Sequence, residues 1–129
     1  MANLPQKRRS ELTPLAVCPP KLPLKARPLL AMEQAAELER LFKVLGNRTR
    51  LRLLHALVRK GEMCVTDLAH TVGMKPQAIS NQLQRLTDRG ILASRRDGNN
   101  IHYRVVDPCV VALLDQGLCL TEDARERMR

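Results

Sequence analysis

The chain has 129 residues, enough for one domain with an extension, and a formal net charge of +9. This charge favours a polyanionic partner, and the absence of a long apolar run or a signal-like N-terminus predicts a cytoplasmic protein that spans no membrane. One Phe, one Tyr and no Trp argue against base-stacking binders of RNA or single strands, so duplex DNA is the expected partner.

The N-terminal segment, residues 1–29, is predicted to be a flexible basic arm. It contains six of the eight prolines and six basic residues against one acid, and proline blocks regular helix. Residues 30–121 are predicted to form the folded domain, and residues 122–129 a charged tail.

Two helices are predicted after the arm. Over residues 32–45 apolar side chains recur at i, i+3, i+4 and i+7, the spacing of one helix face. Gly46 ends this helix, and Asn47 is a suitable N-cap for the next one, over residues 48–59. Its inward side chains are expected to include Leu51, Leu54 and Val58. The basic residues of this helix are Arg48, Arg50 and Arg52. At most two of them could contact the same phosphates. The alternative is that all three form a solvated face.

Residues 65–89 are predicted to form a helix-turn-helix. A short helix over 65–72 is followed by Gly73, which allows a tight turn, and Pro76 suits the first position of the second helix. In that second helix the aliphatic residues share one face and short polar side chains share the other, as a DNA recognition helix requires. The residues predicted to contact DNA here are Lys75, Gln77, Ser80, Asn81, Gln84 and Arg85.

Two short strands joined by a turn at residues 97–100 are predicted to form a β-hairpin. Its positive charge predicts a basic wing that contacts the DNA backbone or the minor groove and positions the protein more than it selects a sequence. The wing residues predicted to contact DNA are Arg95, Arg96, Asn99 and Asn100.

The last helix is predicted to begin at Pro108, with Asp107 as its N-cap. It is apolar on nearly every side, which a surface helix of a small domain would not be. We therefore expect this helix to form a homodimer interface together with the first helix. The predicted fold is a mainly α winged helix-turn-helix with the order α1-α2-α3-α4-β-β-α5.

Three segments resemble the ArsR/SmtB family of metal-responsive bacterial repressors. They are residues 45–54, the run Glu-Met-Cys-Val-Thr-Asp-Leu-Ala at 62–69, and Ala-Ile-Ser-Asn-Gln-Leu at 78–83 with the wing through Tyr103. The resemblance covers roughly residues 33–120. It implies a symmetric homodimer that blocks a promoter until a metal or metalloid binds and lowers its affinity for DNA.

The resemblance is weaker at the C-terminal zinc site of the family, which uses Asp and His on the last helix. Asp107 fits that pattern, but Cys109 stands where a His is typical. Cys119 falls one residue from the usual ligand position, a rotation of about 100° around the helix axis. In the recognition helix, Asn81 stands where the family often has His.

The chain has four cysteines and no Cys-x-x-Cys pair, so a zinc ribbon is not expected, and the side chains are expected to be reduced thiols. In the family, a Cys in the N-terminal arm joins the Cys of the Glu-x-Cys-Val run, often of the other subunit. The resemblance therefore implies a metal site of Cys18 and Cys64, with Asp67 as a third ligand and His70 as a fourth. Alone, Cys64 would instead be a buried core residue.

Cys109 and Cys119 form a second candidate pair. They lie about 15 Å apart along one helix and about 80° apart around it, so they cannot chelate one ion within one chain. Across a two-fold axis of antiparallel helices, Cys109 would approach Cys119 of the partner subunit; the alternative is that both are core residues. Thiolates favour soft ions, so the expected effectors are Cd, Pb, Zn, Hg, Cu(I) and arsenite.

Three functions follow from these features. The first is a metal- or metalloid-sensing repressor that binds operator DNA as a dimer and releases it when thiolates bind the effector. The second is a DNA-binding repressor of the same fold whose thiols respond to oxidation or reactive sulfur instead of a metal. The third is an interaction module without sequence-specific DNA binding. An enzyme is not expected, because the sequence has no Gly-rich phosphate loop, no nucleophile–base pattern and no His-x-x-x-His motif.

Overall fold

The computed structural model describes residues 21–128. Over this range the chain forms the predicted winged helix-turn-helix, with one additional strand. The helices are α1 (Met32–Leu45), α2 (Arg48–Lys60), α3 (Val65–Val72), α4 (Pro76–Asp88) and α5 (Pro108–Arg127), preceded by a short 3-10 helix at Leu24–Ala26. The strands are β1 (Met63–Cys64), β2 (Leu92–Asp97) and β3 (Asn100–Val105).

The predicted N-caps of α2 and α5 are confirmed. The Oδ1 atom of Asn47 accepts a hydrogen bond from the Arg50 N–H at 3.1 Å, and that of Asp107 accepts one from the Cys109 N–H at 2.9 Å. Each bond satisfies one of the donors that the first turn of a helix leaves without an intrahelical acceptor. Pro108 lies in the first turn of α5, where its missing N–H costs nothing.

Strand β1 is not predicted by the sequence, which has too few residues there for a recognisable alternation. It pairs antiparallel with β3, so that the three-stranded sheet has the order β1-β3-β2. Met63 lies opposite Tyr103, and both are buried. Cys64 lies opposite His102, which in turn lies opposite Arg95 on β2. Because side chains alternate between the two faces of a sheet, these last three residues share the outer face.

The core lies between α2, α3, α4 and the sheet. The prediction that Leu54 points inward is confirmed, whereas Leu51 is 37% exposed and Val58 is partly buried. The prediction for Leu51 is wrong because α2 is apolar on two sides, and this residue lies on the side that faces α5. The largest fully buried side chains are Leu53, Leu54, Leu57, Leu68, Ile79, Leu83, Leu86 and Ile91.

Helix α5 packs on this core through its first half, where Val111, Leu113 and Leu114 are partly buried against it. Val110 is its buried residue, while Leu118 and Leu120 are 56% and 67% exposed. Phe42 on α1 is likewise 51% exposed. An apolar groove of about 660 Å³ runs between α1, α2 and α5. The apolar surface predicted for the last helix is therefore open in the single chain.

Two predicted segments flank the domain, the N-terminal arm and the charged tail. Helix α5 continues to Arg127, so a helix covers most of the predicted charged tail. Residues 1–20 of the predicted arm, Cys18 among them, lie outside the described residues. Among the helices of the described range, none combines the length and apolarity needed to cross a membrane.

Candidate DNA interface and thiol sites

Helix α4 separates an anchoring face from a polar face, as the sequence predicts. Ile79, Leu83 and Leu86 are buried and hold the helix on α3 and β2. Pro76 begins the helix after a turn in which Gly73 has a φ of 71°, a left-handed conformation that glycine adopts without steric cost. The predicted DNA-contacting residues around this helix are all exposed, namely Lys75, Gln77, Ser80, Asn81, Gln84 and Arg85.

Two of these polar side chains also bond within α4. The Ser80 hydroxyl donates to the Pro76 carbonyl oxygen at 3.1 Å, and the Gln84 Nε2 donates to the Asp88 Oδ1 at 2.9 Å. Both side chains still carry acceptor oxygens. These bonds restrict their rotamers, which lowers the entropy lost when they accept a hydrogen bond from a base edge.

Two arginines of α2 bind other parts of the protein. From the sequence, their alternatives are contact with phosphates or a solvated face. Arg50 Nε donates to Gln82 Oε1 on α4 at 2.6 Å, and Arg50 Nη1 donates to the Val44 carbonyl oxygen at the end of α1 at 3.0 Å. Arg52 Nη1 donates to the Val72 carbonyl oxygen, beside the turn of the helix-turn-helix, at 3.2 Å. Spacing along α2 does not reveal these partners, because they lie on other elements.

The wing residue Arg95 has a partner within the chain. Its Nη2 and Nε atoms donate to the two carboxylate oxygens of Glu62, with the shortest distance 2.7 Å and the Nε bonds at 2.9 and 3.1 Å. Arg104 Nη1 lies 3.6 Å from Glu62 Oε2. A DNA phosphate that bound Arg95 would therefore compete with Glu62. Arg96, Asn99 and Asn100, the other predicted wing contacts, are exposed.

This ion pair changes the titration of both partners. The hydrogen bond from Arg95 lowers the pKa of the Glu62 carboxyl below its usual value, and the charges of Arg95, His102 and Arg104 act in the same direction. Partial burial opposes this change but is outweighed. The same hydrogen bond raises the pKa of Arg95. Glu62 is therefore a carboxylate at neutral pH, as an ionic link between the wing and the residue that precedes β1 requires.

The first predicted thiol site is represented in the structure by Cys64, Asp67 and His70. Cys64 is half-buried at the end of β1, and both Asp67 and His70 are exposed on α3. Within residues 21–128, no group of three or more His, Cys, Asp or Glu side chains is arranged to hold a metal ion. The structure thus does not bring these three residues together as a ligand set, and Cys18 lies outside the described residues.

The second predicted thiol site lies on α5, where Cys109 and Cys119 are both exposed. They belong to one continuous helix, so the two thiols are too far apart to chelate one ion within one chain, as the sequence predicts. The Cys119 thiol lies 3.8 Å from the Asp123 Oδ2. Asp107, a less favoured ligand in the sequence analysis, uses its carboxylate to cap α5. Both thiols lie on the helix whose apolar side chains remain exposed.

Comparison with known proteins finds similarity to bacterial transcriptional regulators along the sequence. Residues 47–94 match the family model described as bacterial regulatory protein, arsR family. A transcriptional repressor from Synechocystis sp., an SmtB homolog, is 35% identical over 85 residues, a match that covers 66% of this chain and 64% of the relative. The matched region thus spans just under two thirds of that relative.

The fold is also similar to those of solved DNA-binding and repressor proteins. The crystal structure of the AntR antimony-specific transcriptional repressor has 62% sequence identity and a TM-score of 0.73, and the match covers 85% of this chain and 99% of that chain. The solution structure of a homodimeric winged helix-turn-helix DNA-binding domain from Mycobacterium bovis has 29% identity and a TM-score of 0.61. That match covers 75% of this chain and 92% of that chain.

Proposed function

Because the chain belongs to the ArsR/SmtB family of bacterial transcriptional regulators, whose members are DNA-binding proteins and not enzymes, we propose that it is a homodimeric repressor controlled by a soft metalloid. The effector we propose is trivalent antimony or arsenic, bound by the thiolates of α5. Binding of the metalloid lowers the affinity of the dimer for its operator.

The polar face of α4 and the basic charge of the chain support the DNA-binding part of this proposal. Short amide and hydroxyl side chains on an exposed helix face match the donor and acceptor pattern of base edges in the major groove. The net charge of +9 favours association with the phosphate backbone. We propose that α4 enters the major groove and that the wing contacts the backbone beside it.

The open apolar surfaces of α1 and α5 support a homodimer. Phe42 and Leu118 line the same groove, and each is more than half exposed in the single chain, at 51% and 56%. A second copy that covers this groove would remove both from water. The Mycobacterium bovis domain with the same fold is homodimeric, and a two-fold axis would place two α4 helices on successive turns of a palindromic operator.

The observation that carries the choice of sensor is the position of Cys109 and Cys119. Both thiols are exposed on the helix that we propose to lie at the dimer interface. A symmetric dimer with antiparallel α5 helices would bring Cys109 towards Cys119 of the partner subunit, forming two equivalent dithiolate sites. Neither site would exist in a monomer, so effector binding would report on the geometry of the dimer.

The ligand type favours a metalloid. Thiolate sulfur is a soft donor, and a site of two thiolates lacks the four protein ligands of a structural zinc site. The 62% identity to an antimony-specific repressor supports antimony in particular. When a thiol binds the hydroxide of trivalent antimony or arsenic, its sulfur replaces one hydroxide ligand. The thiol proton combines with that hydroxide and leaves as water. Binding therefore needs neither an oxidant nor a reductant.

Repression would be relieved by a change in the distance between the two α4 helices. The DNA-bound dimer needs these helices about 34 Å apart, one turn of the duplex. Thiolate bonds across α5 would stabilise a different arrangement of the subunits. The coupling free energy of such systems is typically about 1–3 kcal/mol, enough to lower DNA affinity by roughly 5- to 150-fold.

The test is a titration of the reduced protein into a fluorescent duplex selected by this protein from a random library, followed by anisotropy. We expect potassium antimony tartrate to raise the Kd at least about tenfold, which corresponds to about 1.4 kcal/mol. Cys109→Ser and Cys119→Ser should each abolish this response. Cys64→Ser is the matched control and should retain it.

Other outcomes identify the alternatives. Loss of the response in Cys64→Ser alone would place the sensor at β1, as the family resemblance implies. Release of DNA by peroxide or persulfide in the presence of a chelator, with no effect of antimony, would favour a redox switch. If the library yields no preferred duplex, the DNA-binding proposal is wrong.

A further inference from the structure

Arg50 joins three elements of the domain through one side chain. Its guanidinium donates to Gln82 on α4 at 2.6 Å and to the carbonyl oxygen of Val44 in the last turn of α1 at 3.0 Å, while its own backbone N–H is bound by the Asn47 cap. All three hydrogen bonds are partly buried. The guanidinium therefore links the end of α1 to the middle of α4.

Such a link is stronger than a contact between exposed side chains. The acceptor on α1 is a carbonyl of the last helical turn, which has no intrahelical donor and lies at the negative end of the helix dipole. Hydrogen bonds from a charged donor are shorter and stronger than neutral ones, and partial burial reduces competition from water. The planar fork of arginine fixes both acceptors relative to each other.

Gln82 occupies the boundary between the two faces of α4. It is partly buried, whereas its neighbour Asn81 is exposed on the side proposed to face DNA. The packing of α4 is mainly against α3 and β2, so Arg50 adds a connection to a different part of the domain. A small shift of Gln82 would rotate α4 about its axis and redirect Asn81.

The other end of the link lies close to the proposed dimer surface. Leu45, the residue after Val44, lines the apolar groove between α1, α2 and α5, and so does Phe42 one turn earlier. A partner subunit that occupied this groove would press on the last turn of α1. Any displacement of that turn moves the Val44 carbonyl, to which Arg50 is bound.

We propose that Arg50, acting through Gln82, is the positioning residue that couples the metalloid-bound state of the dimer to the orientation of the recognition helix. This inference rests on the proposed function and adds the route between its two sites. Arg50 contacts neither DNA nor the effector in this mechanism. It transmits a displacement of α1 to α4, because its two strong hydrogen bonds fix α1 and α4 relative to each other.

The experiment measures a coupling ratio, defined as the Kd for the selected duplex with potassium antimony tartrate divided by the Kd without it. Gln82→Met removes the acceptor at nearly constant volume and leaves the bond from Arg50 to Val44. We expect its coupling ratio to fall at least threefold below that of the wild type, with unchanged antimony stoichiometry. Gln82→Glu restores an acceptor and should retain the wild-type ratio.

Gln84→Met is the matched control, because it makes the same chemical change on the same helix. Gln84 bonds to Asp88 within α4, so its loss should weaken DNA binding with and without antimony by the same factor. If Gln82→Met fails to fold, as judged by circular dichroism, Arg50→Lys tests the same link. Lysine keeps the charge but lacks the planar fork, and we expect the same fall in the ratio.

The experiment separates a failure of this inference from a failure of the proposed function. An unchanged ratio in Gln82→Met, with both Kd values or the Tm shifted, would show that the link is only structural and would overturn the inference. A loss of antimony binding in this variant would also overturn it, because the sensing site itself would then have changed. A wild-type ratio near one would instead overturn the proposed function, and the inference with it.

Discussion

At the scale of single residues, the arginines of this chain divide into those that bind the protein and those that face solvent. Arg50 and Arg95 have strong partners on other elements, Gln82 and Glu62 respectively. Arg96, adjacent to Arg95, is exposed on the opposite face of β2. A basic sequence run therefore does not by itself define a DNA-contacting surface.

Glu62→Gln is predicted to loosen the wing. Because the pKa of Glu62 is lowered in the folded state, its stabilising effect is present above the unfolded pKa, about 4.3, and is lost as the pH falls through the lower folded pKa. The variant should lower the Tm at pH 7 by roughly 1–4 °C. The difference from the wild type should shrink towards zero in more acidic buffer, as calorimetry at several pH values would measure.

Glu39→Gln is the control for this prediction. Glu39 forms an exposed pair with Lys43 at 3.5 Å within α1, so the same charge change there should alter the Tm much less. An equal Tm difference between Glu62→Gln and the wild type at all pH values would contradict an ionic role for Glu62.

At the scale of elements, α4 and α5 each carry two kinds of surface. Helix α4 is held by three buried aliphatic residues and exposes amides and a hydroxyl on its other side. Helix α5 exposes apolar side chains together with two thiols. The first arrangement suits a nucleic acid and the second suits another copy of the same helix.

Asn81→Ala is predicted to weaken specific DNA binding. An amide that bonds a base edge through two hydrogen bonds contributes about 1–3 kcal/mol of discrimination, so the Kd for the selected duplex should rise roughly 5- to 150-fold. The Kd for a scrambled duplex should change little. Anisotropy with both duplexes measures this, and Gln116→Ala on α5 is the control. Equal weakening for both duplexes would mean that Asn81 does not select sequence.

Leu118→Asp is predicted to disrupt the dimer. It places a carboxylate in the apolar groove between α1, α2 and α5, and an unpaired charge in an apolar interface is costly. Sedimentation equilibrium should show a shift from dimer to monomer, and antimony binding should fall because the proposed site needs two subunits. Gln116→Asp, which is exposed outside the groove lining, is the control. An unchanged dimer would exclude this groove as the interface.

At the scale of the whole molecule, the proposed function has DNA and effector act on one equilibrium between subunit arrangements. The proposed thiol site lies on α5 and the proposed DNA site on α4, so neither ligand needs to touch the other. Coupling between two such sites is reciprocal by thermodynamic linkage. The same free energy must appear in both directions.

The selected duplex is therefore predicted to weaken antimony binding by the factor by which antimony weakens DNA binding. Competition with a dithiol chelator, with and without saturating duplex, would measure the affinity of the protein for antimony. If antimony released DNA while the duplex left the antimony affinity unchanged, release would not be a binding equilibrium. An irreversible change such as thiol oxidation would then explain it.

The sequence by itself determined the order of the five helices and the wing hairpin, and most of their ends. Caps, prolines and glycines act within a few residues along the chain, so Asn47, Gly73 and Asp107 were sufficient to mark helix starts and turns. The two faces of α4 likewise follow from the helical period. The same local rules predicted the open apolar surface of α5, because one small core cannot bury every side of a helix that is apolar all round.

Only the tertiary structure decided which distant residues meet. Strand β1 exists because β3 pairs with it, and two residues carry no periodicity of their own. Leu51 faces the groove because α2 has two neighbours, and the bond from Arg50 to Gln82 joins residues 32 positions apart. Local propensity contains no information about such separations, since they depend on how the helices pack after they have formed.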